Sequence, residues 1–389
     1  MGVASPLGAI GGLAIALLTV LLLQRLFGAP PPSRRFATLD GLRGYAAFLV
    51  YLHHATIWYF FARTGAWTLP PTRLFVHFGQ SSVAIFFMIT GLLFWTKLLD
   101  SRVAPIDWRR LFVSRVLRLT PLFLFALTLI AVIGLTAYGP SLNVSAPRLA
   151  LQTLQWLTFT IAGMPDLNRW PTTILAGQAW SLPYEWWFYL SLPAGALLYR
   201  RPAAGWIGLG AAGALGGAWW ISTHDGWSIA AAFLGGIGSA ILVRQPAASA
   251  AARRWWSSLI CVAALAAVSR FTTAFALAPL LCLSLAFAII ACGNTLFGIL
   301  TWAPARGLGE IGYSIYLLHS VVLFVAFGLA IGPGRTAALT TAQHWLVTLA
   351  CAPIVVGMSF VTFRLIEAPA MASVDRVSAS RPSRTTVSR

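Results

Sequence analysis

Apolar stretches of about 20 residues recur along the chain, and short segments between them carry most of its charge. A helix of that length crosses a hydrocarbon core of ~30 Å. Inside hydrocarbon the backbone must satisfy its own hydrogen bonds, which selects a helix for each run. Candidate spans fall at 7–27, 39–62, 77–98, 119–138, 180–199, 203–222, 227–243, 255–269, 274–300, 308–331 and 338–366, with 227–243 and 255–269 the shortest. The expected fold is an all-α, polytopic transmembrane bundle of about eleven spans. Composition agrees, since 9% of residues are charged where soluble domains carry roughly a quarter. The net charge of +18 does not imply a nucleic-acid partner, because the arginines punctuate apolar segments and form no basic face.

Lys and Arg concentrate in the short cytoplasmic loops of membrane proteins. Placing the loop after the first span inside gathers Arg25, Arg34, Arg35, the run from Lys97 to Arg118, Arg200, Arg201, Arg244, Arg253, Arg254, Arg306 and the tail on that side. Arg63, Arg73, Arg148, Arg169, Arg270 and Arg335 remain outside. The expected orientation is N-terminus outside and C-terminus cytoplasmic, in the cell's inner (cytoplasmic) membrane. Residues 1–6 lack the positive charge of a secretory leader, so the first apolar run is expected to stay as a helix. Residues 1–35 then form an extra N-terminal helix and loop, 36–370 the membrane domain, and 371–389 a polar, disordered cytoplasmic tail. Cys261, Cys282, Cys292 and Cys351 lie in apolar segments without metal or redox spacing, and no metal is expected.

Ionisable residues inside a span are costly and mark function by default. Arg43 and His54 are eleven residues apart in the second span. That is almost three turns, so they share a face ~16 Å apart along the axis. Asp40 precedes Arg43 by three and can pair with it. His53 points about 100° away. The alternative is a neutral histidine hydrogen-bonded between helices.

The segment Leu39-Asp40-Gly41-Leu42-Arg43-Gly44 with His54 resembles the Arg-x10-His signature of the acyltransferase-3 family of membrane acyltransferases. The resemblance continues through Phe86-Phe87-Met88-Ile89-Thr90-Gly91, Arg115-Val116-Leu117-Arg118 with Pro121, and Trp180-Ser181-Leu182-Pro183-Tyr184-Glu185 with Phe188-Tyr189. It closes with Gly312-Tyr313-Ser314-Ile315-Tyr316-Leu317-Leu318-His319 and Ile366-Glu367-Ala368-Pro369. These motifs cover roughly 36–370 in the family's order. Ser82, Ala84 and Thr90 depart from the usual glycine, acidic residue and serine, and the first span is additional to the family's ten-helix core. The resemblance implies O-acyl transfer to a cell-surface polysaccharide, a lipid-linked sugar or a glycosylated secondary metabolite such as a macrolide.

Arg102, Arg109, Arg110, Arg115 and Arg118 crowd the loop after the third span. Positive-inside topology and anionic lipid explain Arg109 and Arg110. Arg115 and Arg118, three apart, share a face if the following helix starts early, and guanidinium forks suit the phosphates of a cytoplasmic acyl-CoA. Glu185 sits in the first turn of a helix, favoured there by the dipole. Trp180, Trp186 and Trp187 beside it suit a membrane interface, and aromatic planes beside a carboxylate also suit a sugar. Tyr313, Tyr316 and His319 form a polar strip at three-residue steps, open to packing or catalytic support; His77, His224 and His344 read as structural or interfacial.

The chemistry expected is transfer of an acyl group, acetyl above all, from acyl-CoA. His54 acts as general base on an acceptor hydroxyl or as transient nucleophile. Arg43 stabilises developing charge or holds CoA. Acyl-CoA, the acceptor and the bilayer are the expected partners, with no permanently bound cofactor. A secondary transporter is the rival from another class, but such carriers show paired repeats with matching broken helices, and no such pairing is visible.

Overall fold

The computed structural model describes residues 2–3, 5–28 and 36–378. Among these there is no β-strand. Helix α1 (Pro6–Phe27) is followed by α2 (Ala37–Thr64), α3 (Arg73–Asp100) and α4 (Trp108–Tyr138). Next come α5 (Ala146–Leu157), α6 (Leu182–Gly195), α7 (Ala204–Thr223), α8 (Ala232–Leu242), α9 (Trp255–Val268) and α10 (Leu277–Ala291). The chain closes with α11 (Ala303–Glu310), α12 (Gly312–Leu323), α13 (Thr341–Thr362) and the short α14 (Val374–Ser378). A π-helical stretch, Phe324–Ala330, extends α12, and a second, Phe363–Glu367, extends α13.

Among the described residues, five helices are long and apolar enough to cross a membrane: Pro6–Phe27, Arg73–Asp100, Trp108–Tyr138, Gly312–Ala330 and Thr341–Ser378. A sixth is reached if Trp227–Leu242 and Pro246–Ala252, bent by 109°, count as one broken span. The eleven expected spans are therefore seen as five or six by this measure. Helix α2 is as long as α3 but carries Asp40, Arg43, His53, His54 and Arg63. Helices α9 and α10 have 14 and 15 residues, too few to span a full core alone.

Two further expectations change. The basic segment before 119 is not a loop: α4 starts at Trp108, with Asp107 capping it by accepting from the Arg110 N–H at 2.9 Å. Arg109, Arg110, Arg115 and Arg118 thus ride its first turns. The tail expected to be disordered from 371 is helical to Ser378, where Asp375 pairs with Arg110 at 2.6 Å. Residues Arg34, Arg35 and 379–389 lie outside the described residues. Helix α5, unforeseen, buries Gln152 and Trp156 and exposes Leu151, Leu154 and Leu157.

Two glycine contacts fix the packing of α2 on α11. Gly44 of α2 lies against Ala305 and Gly309 of α11, where an added Cβ would come within 2.6 Å of the Ala305 oxygen. A Cβ on Gly309 would collide with the Asp40 carbonyl. Only glycine permits that approach, and it sets where Asp40 and Arg43 lie.

Candidate active site

The C-terminal end of α1, the N-terminal parts of α2, α4 and α12, and the C-terminal parts of α3 and α13 meet at one end of the bundle. Between them lies a cavity of about 480 Å³, lined among others by Asp40, Arg43, Thr90, Arg115, Arg118, Glu185, Tyr189, Arg306, Glu310, Tyr313 and Tyr316. Asp40 and Arg43 approach to 3.7 Å on one face of α2. Arg115 lies over the Phe94 ring at 5.1 Å and Arg118 over Tyr313 at 5.9 Å. The buried Nε atoms of Arg115 and Arg306 have no hydrogen-bond partner among the described residues. Free guanidinium donors beside an open volume favour an anionic guest with several oxygens.

Glu185 lies in the first turn of α6, as expected, and lines the cavity. The segment before α6 turns into the bundle through Thr172–Ala176 and the 3₁₀ turn Gly177–Ser181. Glu185 therefore starts its helix beside Thr90, ten residues before the end of α3. Thr90 Oγ1 donates to Glu185 Oε1 at 3.2 Å and the Tyr189 hydroxyl to Oε2 at 3.1 Å. Trp180 packs edge-on against Tyr184 and Phe275 inside the bundle.

The inturned segment is tied to α12. Gln178 Nε2 donates to the Leu317 carbonyl at 2.7 Å, and Ser320 Oγ donates to Gln178 Oε1 at 2.9 Å. The Tyr316 hydroxyl donates to the Gln178 carbonyl at 2.8 Å and is also 2.8 Å from Ser181 Oγ. Ser181 and Tyr316 of this layer also line the cavity.

Beyond that layer lie the histidines, outside the cavity that holds Arg43. His319 Nε2 is 3.1 Å from His54 Nδ1, and Trp67, in the connection after α2, stacks over His54 with centroids 6.3 Å apart. His54 is half-buried, whereas His53 and His319 are buried. His53 Nδ1 donates to the Phe75 carbonyl at 2.6 Å, and its ring lies against the backbone at Gly79. His344 donates to the Ala55 carbonyl at 2.9 Å, His77 to the Phe271 carbonyl at 2.9 Å, and His224 stacks on Trp220.

The structure thus gathers Asp40, Arg43, Arg115, Arg118, Glu185 and Tyr313 around one cavity and sets His54 with His319 farther along the same helices. Sequence reasoning missed the roles of Glu367, Gln178, Ser181, Tyr189, Arg306 and Glu310. Glu367 is buried in the π-helical turn, 3.1 Å from Arg118, and accepts from Ser314 Oγ. Its signal was present in the closing Glu-x-Pro. Ser181 and Tyr189 were also signalled, by the motif around Glu185, whereas Gln178, Arg306 and Glu310 carried no signal beyond their polarity in an apolar setting.

Residues 36–364 match the family model described as an acyltransferase domain. A relative, Acyltransferase MdmB of Streptomyces mycarofaciens, is 30% identical over 182 residues, which make up 44% of this chain and 42% of that protein. The match therefore spans less than half of MdmB. No solved structure matches the chain.

Proposed function

The chain belongs to this acyltransferase family, and from that premise we propose that it is a membrane O-acyltransferase moving an acetyl or related acyl group from cytoplasmic acyl-CoA to a hydroxyl of a carbohydrate-containing acceptor. The observation that carries the donor assignment is the cavity where Arg43, Arg115, Arg118 and Arg306 converge. A coenzyme A diphosphate and 3′-phosphate offer oxygens to the guanidinium donors that Asp40 and Glu367 leave over on Arg43 and Arg118 and to those of Arg115 and Arg306, and their placement at one end of the bundle favours entry from a single side. His54 lies ~16 Å farther along α2 than Arg43, so the phosphates dock on the arginines while the thioester reaches inward.

In the reaction, a nitrogen of His54 takes the acceptor's hydroxyl proton as the oxygen attacks the thioester carbonyl. The new C–O bond forms, the C–S bond breaks with its electron pair going to sulfur, and the proton held by His54 passes to the CoA thiolate. A hydroxyl needs a base at the moment of attack, and imidazole is the side chain suited to that near neutral pH. Arg43, oriented by Asp40, holds the donor or offsets developing charge, and Glu185 orients groups at the mouth of the thioester path. Cell-surface polysaccharide or lipid-linked sugar is the acceptor class proposed. In the same reading the shorter helices complete about eleven crossings of the inner membrane, the N-terminus is outside, and 36–370 act as one domain.

The test is radiolabelled acetyl-CoA offered to purified protein in nanodiscs, with a panel of lipid-linked sugars, polysaccharide fragments and a glycosylated macrolide. Free CoA with label on an acceptor is expected. In proteoliposomes, movement of label across the bilayer without CoA release would instead identify a carrier.

A further inference from the structure

We propose that His319 is a positioning residue: it holds His54 in the tautomer with its proton on Nδ1, so that Nε2 of His54 takes the acceptor's proton. This inference rests on the acyl-transfer reading above. His319 Nδ1 is 2.9 Å from the carbonyl of Ile315, one turn earlier in α12. A carbonyl only accepts, so neutral His319 carries its proton on Nδ1 and a lone pair on Nε2. That lone pair faces His54 Nδ1 at 3.1 Å. His54 Nδ1 is also 3.0 Å from the Val50 carbonyl, one turn back in α2. Both neighbours of His54 Nδ1 are acceptors. A proton on His54 Nε2 instead would set the lone pairs of His54 Nδ1 and His319 Nε2 against each other and leave the Val50 oxygen facing that same Nδ1 lone pair.

The remaining contacts make His319 a fixed reference rather than a second base. His319 is fully buried, while His54 is half-buried. The residues on either side of His319 in α12 are pinned: the Tyr316 hydroxyl by Gln178 and Ser181, Ser320 by Gln178, and the Leu317 carbonyl by Gln178 again. Among the described residues, the only other titratable ring against His54 is His53, 4.9 Å away edge-on, and its Nδ1 proton is committed to the Phe75 carbonyl. Among the described residues no carboxylate is hydrogen-bonded to either His54 or His319. A neutral imidazole here fills the orienting place that a carboxylate holds in a Ser-His-Asp arrangement. His54 Nε2, which has no hydrogen-bond partner among the described residues, is then the atom that meets the hydroxyl as the C–O bond forms and the C–S bond breaks.

The experiment uses the full chain in nanodiscs, labelled with 15N-histidine, and reads the tautomer by magic-angle-spinning spectra, with His54→Asn identifying the His54 resonances. Wild type is expected to show a proton on Nδ1 and a bare Nε2 at His54. His319→Leu, which removes the acceptor, is expected to move His54 toward the Nε2–H form. His319→Gln, whose Oε1 accepts near the position of Nε2, is expected to keep the Nδ1–H form. With acetyl-CoA and the acceptor found by the panel above, His319→Leu lowers kcat on the order of 10²-fold with the KM for acetyl-CoA unchanged, and His319→Gln restores most of it. An Nε2–H tautomer in wild type, or an unchanged kcat in inserted His319→Leu, overturns the proposal. Full activity in His54→Ala would instead remove the base assignment beneath it, and the wild-type tautomer would still be read independently.

Discussion

Arg118 and Glu367 are joined by an ion pair of 3.1 Å that ties the early turns of α4 to the π-helical end of α13. The Glu367 side chain is 1% exposed and that of Arg118 17%, so the pair is little screened by water. Ser314 also donates to the carboxylate. Removing one partner of a buried pair leaves an uncompensated charge, at a cost of about 3–5 kcal/mol. Arg118→Gln is therefore expected to lower thermal stability markedly more than Arg115→Gln, and adding Glu367→Gln to Arg118→Gln to recover part of the loss. Equal melting shifts for Arg118→Gln and Arg115→Gln would contradict this role for Glu367.

Donor binding gives a second expectation. Arg115→Gln, at a guanidinium whose Nε lacks a partner, weakens acetyl-CoA binding with little change in stability. Added salt weakens wild-type binding in the same direction. Calorimetric titration of both proteins at two salt concentrations checks it, and unchanged affinity in the variant would reduce Arg115 to a topology signal.

Thr90 tests the placement of Glu185. Thr90→Ser keeps the hydroxyl that donates to Glu185 Oε1 and is expected to keep turnover. Thr90→Val keeps the shape but removes a bond worth about 1 kcal/mol, so kcat/KM should fall roughly fivefold. A Val variant as active as wild type would mean that Glu185 does not depend on this contact.

The glycine contact between α2 and α11 predicts a paired outcome. Gly309→Ala drives a methyl into the Asp40 carbonyl and should destabilise by about 1–3 kcal/mol while weakening acetyl-CoA binding through Arg43. Gly238→Ala, with no atom within 4 Å, should change neither. Similar melting temperatures for the two variants would contradict the close packing.

How much of this was legible in the sequence depends on distance along the chain. The Arg43–His54 face and the Arg115–Arg118 face follow from helical periodicity within one element, and the periodicity needs no tertiary information. The Arg118–Glu367 and Gln178–Tyr316 contacts join residues far apart in sequence, and nothing local specifies them. The first-turn position of Glu185 was legible from Pro183 and the helix start, but its contact with Thr90 was not, because it joins residues far apart in sequence. The helical start of α4 at Trp108 was hidden because five arginines in a short stretch read as a loop, although Asp107 supplies the cap.

The orientation is expected to be readable with single cysteines in a background lacking the four native ones. Thr68→Cys, in the connection after α2, should react with an impermeant maleimide on intact cells. Ala104→Cys, before α4, should react only after permeabilisation. The reverse pattern would put the arginine cavity on the outer side and require a different donor route.

The central claim is that His54 is the base of acyl transfer and His53 is a packing residue. The most direct measurement compares acetyl transfer from labelled acetyl-CoA by His54→Ala and His53→Ala, each normalised to correctly inserted protein. His54→Ala is expected to lose activity on the order of 10²–10⁴-fold. His53→Ala, which gives up only the bond to the Phe75 carbonyl and the contact at Gly79, is expected to be less stable but to keep most of its turnover. Equal losses in the two variants, or an active His54→Ala, would contradict the account.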